Sequence, residues 1–286
     1  MEASMPAKMS FGTDGPEVTR VGLGGEGVLR TFGREEEARS VIQAAIDNGI
    51  GYFDTAPAYS GSEGYLGEAW RANPGVRETV FHTSKSAQRT ASGALADLDR
   101  TLETLGTDYL DLWQIHDVRT MDDVQAIEGQ GGALEAFVTA RERGTVRHIG
   151  VTGHHDPRIL THCITHWPLD SVLLPVNPLE GALGGFLTET MPAALERGMA
   201  VIAMKILGGG HYVAPESGLT ARSLLAYALS HPVTVAIAGC STPEEVKTLV
   251  TAGAEDAPPM GADERRALED AFRPHARRLA FYRGVL

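Results

Sequence analysis

Cysteine is almost missing from this chain: Cys163 and Cys240 are its only two. That excludes a disulfide framework and a four-cysteine metal cluster. Basic residues are scarce as well, 25 Lys and Arg against 37 Asp and Glu, for a net charge of −12. A polyanion-binding protein needs a basic face, and the tail arginines Arg273, Arg277, Arg278 and Arg283 are too few to supply one. No apolar run approaches the roughly 20 residues that cross a bilayer. The opening MEASMPAKMS has no apolar core of the signal-peptide kind. These absences point to a soluble, cytoplasmic protein with neither nucleic-acid nor membrane partners. What remains is ordinary globular composition: 43% hydrophobic and 22% charged residues describe neither a disordered nor a fibrous chain.

Helix-like and strand-like stretches alternate from residue 18 almost to the end. Ala38, Val41, Ile42, Ala45 and Ile46 carry the spacing of an amphipathic helix, closed by Asn48-Gly49, and the short extended piece Tyr52-Phe53-Asp54 follows. Leu95, Leu98, Leu102 and Leu105 predict a helix ending at Gly106, before a strand over Tyr109–Ile115. Leu134, Phe137, Val138 and Ala140 predict another that stops at Gly144, before the strand Val146–Val151. Asp156-Pro157 reads as an N-cap with proline at N1. Further strands are expected at Ser171–Val176, Met199–Met204 and Val233–Ile237, with helices near Phe186–Arg197, Leu219–Ser230 and Pro243–Thr251. About eight strand–helix units without a linker imply parallel strands beneath an outer layer of helices. The economical closure is a (β/α)8 TIM barrel, one domain over residues 1–286, with an open doubly wound sheet as the alternative. Phe11–Pro16 resembles a turn between two short strands, a β-hairpin for the barrel's bottom, and Asp263 to Phe272 reads as an extra C-terminal helix.

Gly22-Leu23-Gly24-Gly25-Glu26-Gly27 matches a G-x-G-x-x-G phosphate-binding pattern, but the next helix begins only after Gly33. A flexible strand-end loop is therefore preferred to a phosphate cradle. More informative are Asp54, Tyr59, Lys85 and His116, each at or just beyond the end of the second, third or fourth strand. Strand ends of a barrel converge on one mouth, so the four can meet there. Their chemistry agrees. A phenol with pKa about 10 donates poorly near neutrality; a neighbouring ammonium favours the phenolate, and a carboxylate holds the ammonium. A histidine beside them can orient a carbonyl oxygen. Singly, Asp54 reads as a turn cap, Tyr59 as packing, Lys85 as solvated and His116 as a core histidine. Their joint placement on three successive strand ends favours the chemical reading. His154, His155, His162, His166 and Cys163 look metal-rich, yet no third ligand has a defined spacing and no metal is expected. His154 and His155 follow the fifth strand, within reach of the mouth, and Gly208-Gly209-Gly210 offers either backbone donors to a pyrophosphate or a mobile loop.

With these stretches in hand, the chain resembles the aldo-keto reductases. The resemblance rests on Gly22-Leu23-Gly24, on Gly51-Tyr52-Phe53-Asp54-Thr55-Ala56 with Tyr59, on Thr83-Ser84-Lys85, and on Tyr109–Leu112 leading to Gln114-Ile115-His116. Gly144–Thr152 and Ser241-Thr242-Pro243-Glu244 add to it. It implies a (β/α)8 barrel, a cofactor of the NADP(H) or NAD(H) type and a small-molecule carbonyl or alcohol substrate. Tyr59 would be the general acid, Lys85 and Asp54 its tuning partners, and His116 the carbonyl-orienting group. The cofactor would meet Gly24, Gly25, Asp54, Thr152, Gly153, Met204, Lys205, Leu207, Gly208, Cys240, Ser241, Thr242 and Glu245.

Several positions depart from the family's habit. Thr152-Gly153 stands where Ser-Asn would hold the nicotinamide carboxamide, Leu173 where a glutamine is usual, and Met204 where an aromatic stacks on the ring. Glu245 falls on the arginine for the 2′-phosphate, and Thr248-Leu249 on the Glu-Asn pair near adenine. Thr242–Glu245 is also a capping box. The implied activity is reduction of aldehydes or ketones, sugars among them, or the reverse. A cofactor-sensing subunit of the channel β-subunit type and a sugar dehydratase or epimerase are the alternatives. Specificity is expected from the loops Leu29–Phe32, Asp117–Gly132, Pro178–Gly185 and the tail, with Trp113 and Phe186 as rim aromatics.

Overall fold

The computed structural model describes residues 5–285; residues 1–4 and 286, which the one-domain expectation includes, lie outside the described residues. Strands β1 (Lys8–Ser10) and β2 (Glu17–Thr19) form an antiparallel hairpin. Eight parallel strands follow: β3 (Val21–Gly27), β4 (Tyr52–Asp54), β5 (Phe81–Ser86), β6 (Leu110–Ile115), β7 (Val146–Thr152), β8 (Ser171–Pro175), β9 (Ala200–Met204) and β10 (Val235–Cys240). They close into a barrel in which β10 pairs back onto β3, Ala236 opposite Val21. Closure leaves the eight-stranded sheet without an edge and the helices as an outer ring.

Side chains alternate between the barrel interior and the helix layer. On β5, Phe81, Thr83 and Lys85 point inward. His82, Ser84 and Ser86 point outward: His82 Nδ1 accepts from the Trp70 indole at 3.1 Å, Ser84 donates to Glu63 at 2.7 Å and Ser86 donates to Asp97 at 2.7 Å. The lower barrel is filled by Tyr52, Leu112, Leu173, Ile202, Val235 and Ile237, and the hairpin contributes Phe11 and Val18 to that cluster. The Phe11 ring lies 4.7 Å from that of Phe81, so the hairpin closes the bottom. Helix boundaries follow local chemistry. Helix Ala91–Leu105 begins where Thr90 accepts from the Gly93 N–H and ends at Gly106, φ 67°, a left-handed stop that glycine adopts freely.

Periodicity missed the single-turn helices Pro74–Arg77 and Ala276–Leu279 and three longer ones, Ser62–Ala72, Met121–Glu128 and Pro178–Leu183, the last two inside segments expected to be rim loops. The helix expected over Phe186–Arg197 is instead a π-helical turn, Phe186–Thr190, running into Met191–Glu196. Pro192 has no N–H to donate and its ring crowds the Thr188 carbonyl, which opens the preceding turn. Trp113 and Phe186 are not rim residues. The period-2 alternation of β6 turns Trp113 outward, stacked 3.6 Å from Phe137, and Phe186 is buried with the Arg283 guanidinium 5.0 Å from its ring. Among the described residues, no helix is long and apolar enough to cross a membrane. Replacing Phe11 by Ala should cost about 3–5 kcal/mol, the range for deleting a buried ring, as a lowered urea midpoint with little change in slope.

Candidate active site

Four strand ends build the site. Asp54 ends β4 and Lys85 lies in β5, side by side in the barrel interior, 2% and 0% exposed. The three N–H groups of the Lys85 ammonium have three acceptors: Asp54 Oδ1 at 2.8 Å, Asp54 Oδ2 at 2.7 Å and the Thr55 carbonyl at 2.7 Å. Thr83 donates to Asp54 Oδ1 at 2.8 Å. Burial pulls the Lys85 pKa down, and the Asp54 carboxylate opposes it.

Tyr59 follows in the β4 loop, held by hydrogen bonds from its own N–H to Ala56 and from the Ser62 N–H to its carbonyl, both 2.9 Å. Its ring packs against β3, where a Cβ on Gly25 would stand 2.9 Å from Tyr59 Cδ2 and 2.8 Å from the Asp54 carbonyl. The Lys85 nitrogen lies 4.7 Å from the ring centroid, and the His116 ring stands 5.8 Å away at 87°. Lys85 meets the ring face with its donors already engaged, and burial pushes the Tyr59 pKa well above its usual value. The Asp54 and Glu26 carboxylates reinforce that rise, whereas Arg30 opposes it.

His116 sits just past β6, at a turn whose next residue, Asp117, adopts φ 54°. Arg89 donates to the His116 carbonyl at 2.9 Å and the Asp117 carbonyl at 2.8 Å, and Thr152 Oγ1 accepts from the Asp117 N–H at 2.8 Å. Those bonds hold a backbone conformation that a non-glycine residue rarely adopts. Burial, helped by the Lys85 charge, brings the His116 pKa down to about 3, so its ring is neutral at ordinary pH.

A cavity of about 650 Å³ opens at this C-terminal face. It runs past Tyr59, Asp54, Leu173 and Met204, along Lys205 to Gly210, to Ser241, Glu245, Thr248 and Leu249. The C-terminal tail supplies another wall through Phe281. That tail is anchored on buried Glu180, which accepts from Tyr282 Oη at 2.7 Å and pairs with Arg283. Asn177 Nδ2 donates both to Tyr282 Oη and to the Lys205 carbonyl, each at 3.0 Å, which couples the tail to a cavity residue held at φ 55°.

A sequence model of the aldo/keto reductase family matches residues 20–222. The chain belongs to the aldo/keto reductase family. It is similar to L-galactose dehydrogenase of Arabidopsis thaliana, 27% identical over 212 residues that cover 70% of this chain and 65% of that protein. An aldo-keto reductase of Mycolicibacterium paratuberculosis is 35% identical over 131 residues, 44% of this chain and 43% of its own. In both, the match spans less than two thirds of the relative's length. The 6-dehydroglucose reductase of Novosphingobium aromaticivorans is 27% identical over 229 residues, with 74% and 72% covered. Among solved structures, the holo form of an aldo-keto reductase from Bacillus halodurans superposes with TM-score 0.75 at 21% identity over 98% of both chains. One from Klebsiella pneumoniae in complex with NADPH gives 0.75 at 20%, over 94% and 95%. At such identities the structural likeness speaks for the fold.

Lys85 and His116 adjoin Tyr59 without lining this cavity; of the other residues the resemblance singled out, Gly24, Gly25, Asp54, Tyr59, Met204, Lys205, Leu207, Gly208, Cys240, Ser241 and Glu245 line it. Thr152, Gly153 and Thr242 do not. Thr152 spends its hydroxyl on the Asp117 N–H, a Gly153 Cβ would stand 3.1 Å from the Val118 carbonyl, and Thr242 caps helix Pro243–Ala252. The glycines of residues 22–27 are not a flexible loop. They belong to β3, and a Cβ on Gly27 would meet the Cys240 carbonyl of β10 at 2.5 Å. Glu26, Arg30 and Phe281 also stand on the wall, Arg30 and Phe281 within the loop Leu29–Phe32 and the tail expected at the mouth, Glu26 not singled out. The first two lie at or just past the end of β3 and were legible by the strand-end rule that found the others; Phe281 arrives only because the tail folds back. His162 and His166 stack at 4.1 Å on helix Pro157–His166, outside the cavity.

Removing one member of a buried ion pair leaves the other charge uncompensated, at about 3–5 kcal/mol. Lys85→Met should therefore lower unfolding stability by that order, and Lys85→Met with Asp54→Asn should recover part of it. A single variant as stable as the native protein in urea titration would contradict the pairing.

Proposed function

We propose that this protein is an NAD(P)(H)-dependent oxidoreductase that interconverts an aldehyde or ketone, sugars among them, and the corresponding alcohol. The observation that carries this reading is the grouping of Tyr59, Lys85, Asp54 and His116 at the barrel mouth, with Tyr59 and Asp54 on the wall of a cavity large enough for a dinucleotide. Its volume falls in the range typical of cofactor sites. The donor set fits such a group. Gly208, Gly209 and Gly210, at φ 56°, 65° and 90°, form a turn that lines the cavity together with Lys205, a set suited to a diphosphate. Leu173, Met204, Leu225 and Leu249 give the cavity wall apolar surface for ring systems. A bound nicotinamide supplies or receives the hydride. The names of similar proteins, among them L-galactose dehydrogenase, 6-dehydroglucose reductase and a structure in complex with NADPH, agree with that class.

Proton transfer falls to Tyr59. His116 is neutral and has a ring N–H to direct a carbonyl oxygen but no acidic proton to give. The Tyr59 phenol, held protonated by burial, keeps its proton until charge develops on that oxygen. The Lys85–Asp54 pair sets a fixed dipole beneath the ring. Tyr59→Phe should lower kcat for carbonyl reduction by about 10²–10⁴-fold, the usual worth of a general acid, with cofactor binding little changed in a fluorescence titration. Reduction at near-native rates would remove Tyr59 from this role.

The far end of the cavity bears on cofactor choice. Glu245 reaches back to accept from the Ser241 N–H at 2.6 Å, and its own N–H donates to Thr242 Oγ1 at 3.3 Å, so it caps its helix while lining the cavity. A carboxylate there repels a 2′-phosphate and can accept from a ribose 2′-hydroxyl. We expect native kcat/KM for NADPH to exceed that for NADH by less than tenfold, about 1.4 kcal/mol, and Glu245→Arg to move the ratio toward NADPH. A native preference beyond tenfold would assign phosphate recognition to another cation and leave Glu245 as a cap.

A further inference from the structure

The charges facing Tyr59 are Asp54, Lys85, Glu26, Arg30 and Asp117, with His116 neutral. Two of these sets are already answered. Asp54 and Lys85 are buried against each other with every Lys85 N–H engaged, and of the two it is the Asp54 carboxylate that adds to the rise at Tyr59. Asp117 pairs with Arg119 at 2.6 Å and faces His154 at 3.3 Å.

Glu26 and Arg30 differ. Both line the cavity, their side chains are 42% and 45% exposed, and they pair at 2.7 Å. The Arg30 guanidinium carbon stands 5.2 Å from the Tyr59 ring centroid. The backbone fixes this proximity: Gly27, at φ 68°, turns β3 into the short 3-10 turn Val28–Arg30. The Gly61 N–H then donates to the Thr31 carbonyl at 3.2 Å, tying the Tyr59 loop to that turn. A Cβ on Gly61 would stand 2.3 Å from the same carbonyl, so nothing larger than glycine fits there. An exposed ion pair adds little stability; a pair held against one phenol acts on that phenol.

We propose that the Glu26–Arg30 pair adjusts the proton affinity of Tyr59, Arg30 favouring the phenolate and Glu26 restraining it. Both are positioning residues for the reaction proposed above and rest on that reading of Tyr59. A cation 4–6 Å from a titrating group typically moves it by 1–3 pH units, and solvent places this case near the lower end, about one. With the cation lost, the phenol holds its proton to higher pH; with the anion lost, it releases the proton at lower pH.

The test is the pH profile of alcohol oxidation in Arg30→Gln, Arg30→Lys, Glu26→Gln and the double Gln variant. Fluorine NMR of cofactor-free protein carrying fluorotyrosine runs alongside, with the Tyr59 resonance assigned from Tyr59→Phe. Arg30→Gln should move the Tyr59 titration up by about one pH unit and Glu26→Gln should move it down. Arg30→Lys should stay near native, and the double variant should fall between the single ones. High salt should shrink the shifts. Arg30→Gln and Glu26→Gln moving the titration the same way, or not at all, would overturn the proposal. If Tyr59→Phe keeps native turnover, the catalytic reading fails, while the NMR titration still decides whether the pair governs the phenol.

Discussion

The arrangement turns on one buried ion pair. Lys85 and Asp54 lie inside a barrel whose lower half is apolar, where an isolated charge is strongly disfavoured. Such a pair survives only when nearly every remaining donor and acceptor is engaged. Thr55 and Thr83 meet that requirement, one with a backbone carbonyl and the other with a hydroxyl. The interior must therefore change from hydrocarbon to polar within four residues of a strand, from Phe81 through Thr83 to Lys85. The hairpin makes that division possible, since Phe11 closes the barrel at the opposite end.

Given that pair, the rest of the site divides into rigid and adjustable parts. Lys85, Asp54 and the His116 turn are each over-determined by hydrogen bonds, including the two from Arg89 that hold Asp117 at positive φ. Tyr59 is held through its backbone and by packing on Gly25, with its face toward one buried charge pair and near one solvated pair. Solvent weakens the second pair without abolishing it, so its balance can shift while the buried pair stays in place.

The outer layer carries a second polar network that serves packing. Glu63 accepts from Ser84 at 2.7 Å and Thr101 at 3.0 Å, and burial raises its pKa. Ser84 stands between Thr83 and Lys85 in sequence yet faces the opposite way. A single register slip of β5 would exchange the two sets and bury Lys85 among helices. The site's geometry is thus guarded by hydrogen bonds on both faces of one strand.

The alternation of helix and strand patterns was sufficient by itself to imply about eight parallel strands beneath helices, because parallel strands demand helical crossovers, whereas the pairing of β10 with β3 decided for a barrel over an open sheet. Given the barrel, the alternation was sufficient as well to bring Asp54, Tyr59, Lys85 and His116 to one face, since strand ends of a barrel converge. Period-3.6 patterning did not single out helix Ser62–Ala72, whose buried face mixes Ser62, Glu63 and Gly67 with Tyr65, Leu66 and Trp70. Nor could composition tell that Trp113 points outward, that Thr152 turns from the cavity to the Asp117 N–H, or that Phe281 returns to the mouth on a Glu180 anchor. Each of those depends on partners far away in the chain. Local sequence determines where elements begin and which faces are apolar. Which polar groups meet, and so which charges are cancelled and which remain free to act on Tyr59, was decided only when the barrel closed.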